Sequence, residues 1–258
     1  MTHPLEADTA LEQLTPSRWR GEISERWWVM RGPFGGYVAA MLTRAMVIAV
    51  DDPARRPRSL TVHFVAPPQA GPVEIRASIE RAGNAATTVT MRMEQEGETV
   101  ALALGSCAIW RDGEPEWFET SMPEAPPPEE CPQLERREPM PAFHEQFEIR
   151  WVAGEEGTAR NLAWLRPDPP RLLDHLALTA LSDGWLPAAF TKLGRIFGAP
   201  TLDLTIHFRA PVAPHCEWVL ADYRSRFSTG GAWEEDGELW GSDGTLLAQS
   251  RQLALIRA

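Results

Sequence analysis

Asp183 is the first side chain in this 258-residue chain whose place packing alone does not explain. It follows Leu172, Leu176 and Ala180 at spacings that set all four on one face of a helix. A carboxylate on an apolar stripe is costly unless paired, so Asp183 needs partners or a function such as general-base work. The ordinary alternative is a helix-end aspartate bonded to a backbone amide or to a nearby Ser or Trp. Gln252 interrupts a strand that continues apolar from Leu253 to Ile256. Its amide can donate to a carbonyl and accept from a water at once, although period-two alternation could equally turn it to solvent. Thr201 offers a hydroxyl at the start of a strand, where β propensity alone would also place a threonine. Gly35 and Gly36 open a helix whose free N–H groups a carbonyl could approach closely; tight helix–sheet packing would ask for the same glycines. His63 and His207 point to the face opposite Leu60, Val62 and Phe64, and Leu204, Ile206 and Phe208, as matched positions of a repeat would. No nucleophile elbow, P-loop, dinucleotide fingerprint or H-E-x-x-H motif occurs, and Ser242-Asp243-Gly244 reads as a turn.

The elements that must carry these residues fall into two similar series. A strand over 17–24 and the aromatic pair Trp27-Trp28 precede a helix that begins at Gly35-Gly36. Val38, Met41, Leu42, Ala45 and Ile48 give it helical spacing, and Asp51, Asp52 and Pro53 end it. Strands over 58–65, 72–82, 87–96 and 99–111 follow, separated by Pro67-Pro68, Gly83-Asn84 and Gly97. Residues 112–145, with the run EAPPPEE, read as a surface linker. Strands over 146–153 and 158–166 then lead to a second helix. Asp168 can cap it, with Pro169 and Pro170 in its first turn. Strands over 201–209, 217–227, 231–240 and 245–256 complete the chain. The expected units are therefore 1–111 and 146–258.

A repeat supports that division. LTVHFVAP at 60–67 returns as LTIHFRAP at 204–211, and residues 99–111 can be laid on 245–257 with Thr, Ala and Arg in step. In that alignment Ser106 faces Gln252, and no acid in the first copy matches Asp183. Each unit reads as an antiparallel sheet with one apolar face, covered by one long helix. That is an α+β hotdog fold occurring twice, its two sheets expected to join edge to edge.

Composition narrows the function. Apolar residues make up 43% of the chain and eleven are Trp, ample for burial. A net charge of −11 speaks against a nucleic-acid partner; Arg55, Arg56 and Arg58 form a local basic cluster that reads as a solvated loop. Cys107, Cys131 and Cys216 lack metal-ligand spacing and point to a reducing compartment. The first residues lack the pattern of a secretory leader, and no run approaches the length of a membrane span, so a cytoplasmic location without membrane association is expected.

The stretches WRGEIS, RGPFGGYV, LTVHFVAPP, LSDGWLP, TLDLTIHFRAP and AQSRQLALIR, in that order, resemble the double-hotdog acyl-CoA thioesterases of the acyl-CoA thioesterase II type. The resemblance covers nearly the whole chain outside the linker. It implies a lipid-metabolic hydrolase that cleaves acyl-CoA with a water held by an Asp, a Thr and a Gln. Those are Asp183, Thr201 and Gln252 here, with Thr205 the rival for Thr201 if the register shifts by four. In single-domain relatives a helix start like Gly35-Gly36 polarises the thioester carbonyl. Trp185 stands where the family usually has a polar residue. The resemblance implies no metal or redox cofactor, and leaves open a homo-oligomer. The rival readings are a non-catalytic acyl-CoA-binding protein and an enoyl-thioester hydratase or dehydratase. The latter would want a His about five residues after the acid, where Ala188 stands.

Overall fold

Every strand but the shortest takes its place in one path of hydrogen-bonded neighbours. The computed structural model describes residues 2–111, 113–135, 140–184 and 186–257. In chain order they form α1 (Pro4–Asp8), β1 (Glu12–Thr15), β2 (Arg18–Ile23), α2 (Gly35–Val50), β3 (Arg55–Phe64), β4 (Gly71–Ala82), β5 (Ala86–Gln95) and β6 (Glu98–Ile109). There follow β7 (Phe147–Ala153), β8 (Arg160–Pro167), α3 (His175–Leu181), α4 (Ala188–Leu193), β9 (Thr201–Phe208), β10 (Val219–Arg224), β11 (Ser228–Thr229), β12 (Ala232–Gly241) and β13 (Leu246–Leu255). The strands run β1-β2-β4-β5-β6-β3-β9-β13-β12-β10-β8-β7, with β11 set beside β12. The described pairs are antiparallel, and β3 and β9 meet at the centre.

At that centre Thr61 lies opposite Thr205, and Ser59 and His63 lie opposite His207 and Asp203. The strand order reads the same outward from this point on both sides. Registers agree as well. β3 skips a residue against β6 between Pro57 and Ser59, and β9 against β13 skips between Thr201 and Asp203. The repeated sequence therefore carries the same bulge twice.

One helix dominates the inner face. α2 is buried from Gly36 through Met46 with Arg44 as the only half-buried member, because the sheet lies on one side and α3 on the other. A helix covered on two sides must be apolar nearly all round. Its last turn reaches solvent: Ile48, expected on the buried stripe, is 38% exposed. Asp51 ends it in the left-handed conformation.

The second helix corrects the sequence reading. A single long helix capped by Asp168 is expected; the structure has two short ones. Asp174 caps α3, accepting from the Ala177 amide at 2.8 Å, and the Pro169-Pro170 stretch stays outside any helix. Pro187 cannot donate into a helix and disfavours helical backbone before it, which breaks the run between α3 and α4. Gly194, left-handed at φ 60°, stops α4. Leu172 lies outside α3 and is 53% exposed, so it shares no buried face with Asp183. Asp183 sits in the turn after α3, and Trp185 lies outside the described residues.

The helices meet closely. The Thr43 and Thr179 hydroxyls are 3.1 Å apart between α2 and α3. A Cβ on Gly36 would lie 2.5 Å from the carbonyl oxygen of Ala180. That oxygen is backbone and cannot swing aside. Gly36→Ala is therefore expected to destabilise the protein by about 1–3 kcal/mol. Urea denaturation measures this, and a variant as stable as the parent would show that the helix start is not close-packed.

Candidate active site

The turn after α3 is held from three sides. The Ser182 amide donates back to the Leu178 carbonyl at 2.9 Å. Ser250 of β13 donates its hydroxyl to the Ser182 carbonyl at 3.2 Å. Tyr223 of β10 donates to the Leu181 carbonyl. These contacts leave Asp183 little freedom, and they aim it at the start of α2.

There Asp183 Oδ2 accepts from the Gly36 amide at 2.9 Å. Phe34, the residue preceding α2, offers no side-chain cap, so an acid 147 positions along the chain supplies one. The helix start favours the anion through its free amides and dipole. A Cβ on Gly35 would lie 3.0 Å from Asp183 Oδ2, so both glycines are needed for this approach. Burial pushes the Asp183 carboxyl up to about 6, against the stabilising amides of Gly36 and Gly35 and the Gln252 side chain. Asp183 nevertheless keeps partial access to solvent.

Thr201 and Gln252 join the same cluster. Thr201 donates its hydroxyl to Gln252 Oε1 at 2.9 Å, and the Gln252 side chain lies near enough to Asp183 to favour its ionised form. The bulge in β9 explains why Thr201 takes part. Beyond it Leu204, Ile206 and Phe208 face inward, and strict alternation would turn Thr201 outward. The skipped residue reverses the parity, turning a half-buried Thr201 toward Gln252 and exposing Leu202 to 38%. Thr205 faces the other way, its hydroxyl 3.0 Å from that of Thr61. His63 and His207 are exposed on that outer face too, on the far side of the sheet from Asp183. A groove of about 500 Å³ there is lined by Thr205, His207, Arg224 and Arg251 among others, and does not contain Asp183.

One member escaped the sequence reading. Glu235 of β12 is 4% exposed and lies directly across the ladder from Gln252. Its Oε1 accepts from Gln252 Nε2 at 3.1 Å and its Oε2 from the Ala188 amide at 2.5 Å. Burial, and then the charge of Asp183, push Glu235 up to about 8, against the Ala188 and Gln252 donors. Alternation from Trp233 to Gly237 and Leu239 would have marked Glu235 as inward-facing; beside Glu234 and Asp236 it passes for one charge of a solvated run.

Sheet register identifies what the first copy has instead. Gln252, Glu235 and Thr201 correspond to Gly105, Val89 and Pro57. Gly105, not Ser106, is thus the counterpart of Gln252, and Met46 of α2 fills the space above it. The polar cluster exists in only one half. Among the described residues, no group of three or more His, Cys, Asp or Glu is placed to hold a metal ion. No described helix is long and apolar enough to cross a membrane.

Comparison with known proteins assigns the family. The acyl-CoA thioesterase N-terminal domain matches residues 24–108, and the acyl-CoA thioesterase C-terminal domain matches residues 128–256. A hot dog fold protein of unknown function from Alicyclobacillus acidocaldarius is 32% identical, covering 100% of this chain and 99% of its own, with a TM-score of 0.91. An acyl-CoA thioesterase II from Mycobacterium marinum is 25% identical over 98% of each chain, with a TM-score of 0.80. A tesB protein of Mycobacterium avium subspecies paratuberculosis has a TM-score of 0.84 at 21% identity, over 98% of each chain. No curated protein sequence matches the chain. The chain has a hotdog fold and belongs to the acyl-CoA thioesterase family; it is a thioester hydrolase.

The buried acids make stability depend on pH in a definite direction. Glu235 holds its proton in the folded protein to about pH 8, whereas its ordinary value is 4.5. Between those values the folded state binds more protons than the unfolded one, so stability falls as pH rises. Replacing Glu235 by valine, the residue at the matching position of the first copy, is expected to flatten that slope whatever it does to absolute stability. Thermal melts at a series of pH values check this, and an unchanged slope would mean that Glu235 ionises normally.

Proposed function

We infer that the protein hydrolyses an acyl-CoA to a free acid and CoA, with Asp183 as general base. The connection of Asp183, Gln252 and Thr201 in one half of a duplicated fold is the observation that carries this reading. In the same reading the two halves form a double hotdog, related by an axis near Thr61 and Thr205.

A carboxylate has more lone pairs than the helix amides occupy, so Asp183 can accept from a water while capping α2. Thr201 donates its proton to Gln252, and its oxygen can then accept a hydrogen from that water. The water attacks the thioester carbonyl carbon as Asp183 takes its proton. The tetrahedral intermediate collapses, the carbon–sulfur bond breaks, and the proton on Asp183 passes to the leaving CoA sulfur. The developing oxyanion is drawn to Gln252 Nε2 rather than to the Gly35 and Gly36 amides, which already serve Asp183. These glycines then contribute by keeping the helix start open and the base in place.

Release of free thiol over a panel of acyl-CoAs tests the reaction; binding without release would favour a non-catalytic acyl-CoA-binding protein. Asp183→Asn keeps the shape and removes the base, so kcat should fall roughly 10²–10⁴-fold with folding intact. Unchanged turnover would make the acid structural. Gln252→Ala should cost less, because Thr201 still holds the water. The rate constant kcat/KM should decline below about pH 6, where Asp183 takes up its proton. A profile flat through that region would assign the base elsewhere.

A further inference from the structure

The Glu235 carboxyl lies behind Gln252, where the hydrolytic steps above make no use of it. It joins two elements: β12, which carries it, and the first turn of α4, through the Ala188 amide. Among the described residues, Gln252 is the side chain that hydrogen-bonds to it, at 3.1 Å. We propose that Glu235 is a positioning residue that fixes which way the Gln252 amide faces, and so aims the second Gln252 N–H toward the substrate carbonyl. The proposal rests on the hydrolase reading above.

Glutamine presents two nearly identical ends, and its neighbours decide between them. Thr201 is no guide by itself, because a hydroxyl can donate or accept. Asp183 is partly open to solvent, so it does not hold the amide by itself. Glu235 is buried and, when ionised, can only accept, so it takes an N–H rather than an oxygen as its neighbour; when protonated, it keeps that preference only while its hydrogen points away from Gln252. One oxygen is committed to Ala188, so the other faces Gln252 and selects its nitrogen. Thr201 then donates to Gln252 Oε1, leaving its own lone pairs for water. Were the amide reversed, Oε1 would face a Glu235 carboxyl that, ionised, has no hydrogen to give, and Thr201 would have to accept instead of donate.

Glutamine at 235 makes this conflict unavoidable. Its own NH₂ must oppose either the Ala188 N–H or the Gln252 NH₂. The second case resolves only by turning the Gln252 amide over. Glu235→Gln should thus lower kcat by up to about 10²-fold while KM is unchanged, the mark of lost orientation rather than lost binding. Glu235→Val, which leaves Gln252 unclamped, should lower kcat as well.

The test combines thiol-release kinetics with NMR of the Gln252 side-chain ¹⁵NH₂ group, assigned by its disappearance in Gln252→Ala. In the parent protein this group should give two separate, slowly exchanging proton signals that shift as Glu235 titrates. In Glu235→Gln they should move, and in Glu235→Val they should exchange rapidly. Folded variants with parental kcat would overturn the proposal, as would a fall in kcat with the Gln252 signals unmoved. If the variants do not fold, the parent spectrum decides alone: signals averaged like those of a solvent-exposed amide, or indifferent to pH, reject the clamp. A parent protein that releases no thiol from any acyl-CoA would reject the hydrolase reading instead, and the spectrum would still report on the clamp.

Discussion

A carboxylate from the second half of the chain caps the main helix of the first half, and much of the inner face is arranged around that contact. Asp183 reaches the Gly36 amide at 2.9 Å only because neither glycine at the helix start has a side chain. α2 in turn depends on an external cap, since the residue before it provides none. The turn bearing Asp183 is pinned by Ser250 and Tyr223, which belong to the two strands flanking β12. A side chain at Gly36 would strike the end of α3, and loss of the turn contacts would release the carboxylate. Helix start, glycine pair, turn and sheet therefore succeed or fail together, which is how a buried acid is kept in one place.

Duplication supplies the frame and substitution supplies the chemistry. Both halves keep the bulge in the central strand and the bulge farther along the meander. In the first half the bulge turns Pro57 inward, where it has no hydroxyl to give; in the second it turns Thr201 inward. Gly105 leaves space that Met46 occupies, whereas Gln252 fills the matching space with an amide. Val89 is apolar where Glu235 is acidic. Three changes on one backbone plan convert hydrophobic filling into a hydrogen-bonded set, and the acid that meets them comes from where the second helix is broken.

Most of the frame was legible in the sequence because its signals are local. Alternation marked the strands, helical spacing marked α2, and LTVHFVAP against LTIHFRAP marked the repeat. The second helix departs from expectation because Pro169-Pro170 looks like a first turn, whereas Asp174 caps α3 and Pro187 separates it from α4. Asp183 was visible through its family motif, but its place on a helical stripe was not its true setting. The bulge that selects Thr201 over Thr205 depends on pairing between strands far apart in sequence, which spacing within one strand does not reveal. Glu235 stayed hidden for a related reason. A charge inside the run Glu234-Glu235-Asp236 looks solvated until the strands on either side are known.

Burying two acids within one cluster opposes stability, and the glutamine between them makes the arrangement workable. Adjacent carboxyls would share a proton directly and titrate as one unit. Gln252 is neutral and cannot carry the proton from one to the other, yet its amide bonds Glu235 and favours the ionised form of Asp183. The two acids are thereby pushed apart in character. Asp183, at the helix start and partly open to water, is ionised above about pH 6; Glu235, sealed behind α4, keeps its proton to about pH 8. A pair separated in this way offers an ionised base at neutral pH beside a neutral, immobile anchor. Valine in place of Glu235, as in the first half, would be the cheaper choice for folding alone. An acid there is worth its desolvation only if the direction of the Gln252 amide matters, and that direction bears on the one place in the cluster where a reacting carbonyl can be met.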